Sequence, residues 1–143
     1  MLPSNPDELS ALLDARQADG WDFDALLSLG VRSSRDRDAA VIDWLKAAPS
    51  TERLDMACGL LWGLWSAGPP PEERAAAFLD ASDGVPLDTQ TAYDLAVTLT
   101  KLLGGRLTEP IRARIAARMA AVTAARADDP MLDSLLQSLE DAM

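Results

Sequence analysis

The side chains that most often carry chemistry are scarce in this sequence. It has no histidine, and Cys58 is its single cysteine. That removes the commonest general base, the Ser-His-Asp and Cys-His arrangements and the commonest zinc ligand. One thiol can neither build a zinc or iron–sulfur site nor close an intrachain disulfide. The patterns G-x-x-x-x-G-K-[ST], G-x-G-x-x-G and G-x-S-x-G are all absent, so no phosphate-cradling loop or nucleophile elbow is recognisable. What remains is carboxylate chemistry. Asp80 and Asp83 form a D-x-x-D at a helix end, Asp22 and Asp24 flank Phe23, and Asp36, Asp38 and Asp43 share a helical stretch. Carboxylate clusters hold Mg2+ or act as acid and base. Among 23 acidic residues, however, such spacings arise by chance, and charge runs are mostly solvated faces. Cys58 lies in the most apolar stretch with no base or cation near it in sequence, which predicts a buried, inert thiol.

Recognition is the other source of function. Gly20-Trp21-Asp22-Phe23-Asp24 sets two aromatic rings among acids. The segment reads either as an apolar anchor clipping a short helix to the domain or as a hot spot for a basic protein. Trp62 and Trp65 read as core, with Trp44 packing across from them. Basic residues gather at Arg32, Arg35 and Arg37 and again at Arg106, Arg112, Arg114, Arg118 and Arg126. With a net charge of −10, their stems are expected to lie along the core edge and pair with neighbouring acids rather than bind an anion. The same charge disfavours direct nucleic-acid or membrane binding and suits a basic partner, or simply solubility.

The elements that position these residues are punctuated as helices. Asn5-Pro6-Asp7-Glu8 is a start signal, followed by Leu9, Leu12 and Leu13 at helical spacing and a stop at Gly20. Asp22 opens a short helix closed by Gly30. Ser33 or Ser34 caps a third, ended by Pro49, and Ser50 a fourth over Thr51 to Ala67, ended by Gly68. Pro70-Pro71-Glu72-Glu73 starts a fifth that ends near Gly84, Asp88 a sixth, Thr108 a seventh from Glu109 to about Ala127, and Asp129-Pro130 a last one. No stretch alternates with period two, and β-branched and aromatic residues are sparse. The fourth helix is apolar on most sides and so is expected at the structural centre. Gly59 and Gly63 on its remaining sector cost about 1 kcal/mol each relative to Ala, which close approach of another helix would offset.

The expectation is therefore an all-α fold of about seven or eight short helices in antiparallel pairs, forming a HEAT/armadillo-like short solenoid or an irregular bundle. A shift of 38 residues lays Ala57, Cys58, Leu61, Leu64 and Trp65 on Leu95, Ala96, Leu99, Leu102 and Leu103, a repeat carried by apolar positions alone. The 143 residues suit a single helical domain over 1–143. The first residues lack a basic n-region and the longest apolar run, Met56 to Trp65, is too short to span a bilayer, which points to a cytoplasmic protein.

Function is then expected to be a non-enzymatic, acidic protein-binding module: an inhibitor, an immunity-type antidote or an adaptor. Its partner would be a protein with a basic surface, met by Trp21, Asp22, Phe23, Asp24, Glu72, Glu73, Asp80 and Asp83, with no cofactor, metal, direct nucleic acid or membrane involved. The alternatives are a subunit that self-associates through Met131, Leu132, Leu135, Leu136 and Leu139, giving a homo-oligomer, and a small Mg2+-dependent carboxylate enzyme.

Overall fold

A computed structural model of the chain describes residues 1–125. Every regular element among them is helical: α1 (Pro6–Asp19), α2 (Phe23–Val31), a 3-10 turn (Arg35–Arg37), α3 (Asp38–Ala47), α4 (Thr51–Leu64), α5 (Glu72–Ser82), α6 (Thr89–Leu102) and α7 (Glu109–Ala125). The helix expected after Asp129-Pro130, with Met131, Leu132, Leu135, Leu136 and Leu139, lies outside the described residues.

Three starts follow their sequence signals atom by atom. Asn5 Oδ1 accepts from the N–H groups of Asp7 and Glu8 at 2.8 and 3.2 Å, Ser50 Oγ from Arg53 at 3.1 Å, and Asp88 Oδ1 from Thr91 at 2.7 Å. Each bond satisfies a first-turn donor that has no partner within the helix. Other boundaries differ from the expectation. Asp22 occupies the N-cap position of α2, but its side chain makes no capping bond. Of Ser33 and Ser34, Ser34 takes the N-cap position of the 3-10 turn that leads into α3, without a capping bond. Ser33 Oγ serves the end of α2: it donates to the Leu29 carbonyl at 2.6 Å and accepts from the Leu2 N–H at 2.8 Å. Thr108 precedes α7, yet its N–H and hydroxyl both donate to Glu72 Oε1. α4 stops at Leu64, with Trp65 as its C-cap.

Gly30 does not end α2. It lies inside the helix, where α2 crosses α4. A Cβ placed on Gly63 would meet the Leu27 carbonyl oxygen, the Val31 nitrogen at 2.8 Å and the Gly30 Cα at 2.9 Å; one on Gly30 would meet the Leu60 carbonyl oxygen. Two backbones thus touch at a point where neither helix can carry a side chain. This closeness is the offset that the cost of Gly63 required, while Gly59 faces the Phe23 ring instead, and α2 is the chief neighbour of α4.

The helices pack in two rows. α1, α3, α5 and α7 succeed one another in one row, and α2, α4 and α6 in the other, with α3 against α4 and α6 against α7 joining them. Between the rows runs one continuous core, including Leu9, Leu13, Leu45, Leu61, Trp65, Phe78, Leu95, Leu99 and Ile115. Of the positions related by the 38-residue shift, only Leu103 is not fully buried.

Two polar clips reinforce the core. Asp38, 4% exposed, accepts from Trp65 Nε1 at 3.0 Å and faces Arg74 Nε at 3.1 Å, fastening the starts of α3 and α5 to the end of α4. Trp44 is buried in the same core as Trp65. Its Nε1 donates to Asp14 at 2.9 Å and the Arg53 guanidinium lies 4.3 Å from its ring centre. Arg53 also donates to Asp14 and Gln17, so α1, α3 and α4 are held by one network.

Candidate functional site

The eight residues singled out in the sequence fall at two places. Trp21 to Asp24 divide at the junction of α1 and α2. Trp21, half-buried, donates its indole N–H to Glu52 Oε2 at 3.3 Å. With Asp22 it lines a cleft of about 230 Å3, whose other walls include Arg16, Leu29 and Arg32. Phe23 turns to the α4 side instead. Its ring covers Gly59, 3.3 Å from where a Cβ would stand, and meets Trp62 edge-on, with centroids 5.6 Å apart. Asp22 and Asp24 are exposed on either side of it.

Trp62 departs from the expectation of a core residue. It is half-buried, and Lys101 Nζ stands 5.9 Å from its ring centre. The structure gives Phe23 the anchor's place: one aromatic pair bolts α2 to α4, and both residues stay partly exposed. Half-buried Leu27 follows one helical turn after Phe23.

The acids on α5 have a different occupation. Glu72 holds the Thr108 N–H and hydroxyl, and these bonds, the hydroxyl first, keep its carboxyl below the usual range. Asp80 pairs with Arg114 at 2.5 Å and Asp83 with Arg118 at 3.3 Å. Arg118 reaches in further, donating to Ser82 Oγ and the Leu79 carbonyl, and burial lowers its pKa. These contacts fasten α7 to α5, the role expected for the α7 arginines. Only Glu73 of the four stays an exposed acid without a described partner.

The Asp36, Asp38 and Asp43 group disperses. Asp36 pairs with Arg37 at 2.7 Å, Asp38 is buried and Asp43 faces solvent. Among the described residues no three of His, Cys, Asp and Glu gather as a metal-ligand set.

A carboxyl pair that the sequence reading did not single out lies between α4 and α6. Asp55 and Asp94 face each other there. Asp94 is 2% exposed, and Oδ1 of Asp55 and Oδ2 of Asp94 are both buried. Two carboxylates in contact cannot both stay ionised, so one proton belongs to the pair. Burial first, then the Asp94 carboxyl, pushes Asp55 up to about 8, and the Thr91 hydroxyl beside Asp55 works against the rise by favouring the ionised form. Gln90 Nε2 steadies the other Asp94 oxygen at 3.0 Å. The signal available in sequence was slight: each is a lone acid in an apolar run, Leu54-Asp55-Met56-Ala57 and Asp94-Leu95-Ala96-Val97.

Cys58 is fully buried one turn after Asp55, and burial raises its thiol far above the ordinary range. A thiolate is the reactive form, so the native chain is expected to resist an aromatic disulfide reagent at pH 8. Labelling should follow the unfolding curve in denaturant. Rapid stoichiometric labelling of native protein would contradict this placement.

The chain matches no family model, no curated protein and no solved structure. No helix among the described residues is long and apolar enough to cross a membrane.

Proposed function

We propose that this chain is a non-enzymatic protein-binding module whose partner presents a basic surface and docks at the α2–α4 corner. The observation that carries this reading is the half-open aromatic pair Phe23–Trp62, flanked by exposed Asp22 and Asp24. Rigid aromatic rings supply contact area at low entropic cost, and flanking charge selects the partner and speeds encounter. The net charge of −10 extends that steering over the whole molecule. Trp21 and Asp22 border the adjoining cleft and widen the surface toward α1. The acids Glu72, Asp80 and Asp83 serve chiefly to hold α7, with Glu73 free to add long-range attraction.

An inhibitor, an immunity-type antidote and an adaptor all fit this description, and a cytoplasmic setting suits the lone buried thiol. In the same reading the two rows of helices form a short solenoid of the HEAT/armadillo kind, one helix pair per unit, with α2, α4 and α6 supplying the recognition row.

The test is affinity capture from cells of the source organism, comparing the wild type with the double variant Asp22→Lys/Asp24→Lys. Both positions are exposed, so the fold should survive, which circular dichroism checks. The expected outcome is one stoichiometric basic protein, reduced at least about tenfold by the double variant and weakened by added salt. Equal recovery of the same proteins by both baits would sink the proposal.

A further inference from the structure

The row of α3, α5 and α7 carries an arginine-lined cleft that the partner-binding reading leaves unused. It measures about 520 Å3 and opens between the 3-10 turn, the loop before α5 and the loop before α7. Its walls include Arg35, Arg74 and Arg106, with Pro69, Pro70 and Pro71 along one side. Three segments distant in sequence thus bring three guanidinium groups to one opening, in a chain of net charge −10.

The local charge does not cancel. Asp36 and Asp38 also line the cleft, but each is engaged by a cation: Asp36 by Arg37 at 2.7 Å, and Asp38 by Arg74 at 3.1 Å. Arg35 spends one nitrogen on the carbonyls of Gly68 and Pro69, at 3.0 and 2.8 Å. These are neutral acceptors, so its charge stays uncompensated. Arg106 is exposed and has no described partner. Arg35 and Arg106 are therefore the two lining cations without an acidic partner among the described contacts.

Two of the three arginines are also held in place before any ligand arrives. Arg35 is pinned to the backbone of the proline loop. Arg74 is drawn by its charge to Asp38, whose other oxygen is fixed by the Trp65 indole. Positioned guanidinium forks are the side chains best matched to an oxyanion, because they offer parallel N–H donors and stay charged. The start of α5, where Pro71 is both N-cap and a wall of the cleft, carries Glu72 and Glu73 in its first turn, so the attraction rests on the guanidinium groups and not on the helix end.

We propose that this cleft binds a phosphate dianion, with Arg35 and Arg106 as its charge partners and Arg74 completing the wall. The dianion matches the two lining cations without an acidic partner, and the volume leaves room for the body that carries the phosphate. Inorganic phosphate and a phosphorylated side chain share this chemistry.

The experiment is a heteronuclear NMR titration of the whole chain at constant ionic strength. Inorganic phosphate is added in one arm and a short, otherwise neutral phosphoserine peptide in the other. Saturating shifts are expected at Gly68, Gly105 and Arg106 and at the arginine Nε–H signals, with an apparent Kd of about 1 mM or tighter. Arg106→Gln removes an exposed side chain that holds nothing else, and should weaken binding about tenfold while leaving the spectrum otherwise intact. Tighter binding of the peptide than of phosphate would assign the ligand to a phosphorylated chain, and the reverse to the free ion. Shifts that grow without saturating, or that are unchanged in Arg106→Gln, would overturn the proposal.

Discussion

Gly63→Ala should destabilise the protein by about 3 kcal/mol or more, although alanine is the better helix former by about 1 kcal/mol. The added methyl has nowhere to go. It would stand 2.8 Å from the Val31 nitrogen and 2.9 Å from the Gly30 Cα, and closer still to the Leu27 carbonyl oxygen. These are backbone atoms of a packed helix, so relief requires α2 to move away from α4. That movement opens a gap beneath Leu26, Leu29 and Leu60, all in the core. Gly59→Ala is the control. The nearest atoms to its Cβ are those of the Phe23 ring and the Leu26 Cβ, at 3.3 and 3.5 Å, all side-chain atoms, and the half-buried ring can tilt. Its effect should stay within about 1 kcal/mol of zero, the propensity gain offsetting the contact. Chemical denaturation of the two variants compares them directly. Equal losses would mean that the crossing point has been misplaced.

The second large effect concerns pH. Asp55 is raised from 3.8 to about 8 in the folded chain. Between those values the native state holds a proton that the unfolded state has released. Stability from this source is complete below the unfolded value and is lost as pH climbs to about 8. The chain has no histidine, which removes the usual origin of a slope between pH 5 and 8. Asp36, Glu72 and Asp88, whose values are lowered, act in the opposite sense and only in acid, losing their contribution as pH falls. Allowing for the solvent that reaches Asp55, the fall from pH 5 to pH 8 should amount to about 1–3 kcal/mol. Asp55→Asn mimics the protonated acid and can donate to Asp94 at every pH. It should flatten the slope and raise Tm at pH 8 by about 5 °C, with little change at pH 5. Calorimetry across this range decides the matter. A flat wild-type profile, or a variant less stable at pH 8, would remove the shared proton from the account.

Much of the fold was legible because helix ends announce themselves chemically. Asn5, Ser50 and Asp88 each cap as their residue types imply, with Pro6, Asp7 and Glu8 in the first turn of α1 and Glu52 in that of α4. The two glycines of α4 also announced a close neighbour, since their cost demanded one. What sequence could not say was which helix would come near. Gly30 carries the same chemistry as a stop signal and as a crossing point, and only the approach of α4 separates the two.

The candidate site was legible in half. Phe23 with its acidic flanks stood out, but its partner Trp62 belonged to a stretch so apolar that burial on all sides was the natural reading. Asp55 and Asp94 meet across two helices far apart in the chain, and neither lies in a recognisable motif. The arginine cleft joins three segments in the same way. Conversely, Glu72, Asp80 and Asp83 looked like free surface charge because their cationic or hydroxyl partners stand more than thirty residues downstream.

The central claim, that the α2–α4 corner is where a basic partner docks, is tested most directly by site-specific photocrosslinking in the source cells. A photoreactive residue replaces exposed Asp24 in one variant and exposed Ala113, on α7, in another. The account predicts one discrete adduct from position 24, suppressed when Asp22→Lys is added, and none from position 113. Adducts from position 113 alone, or none from position 24 while the protein is folded and expressed, would contradict it.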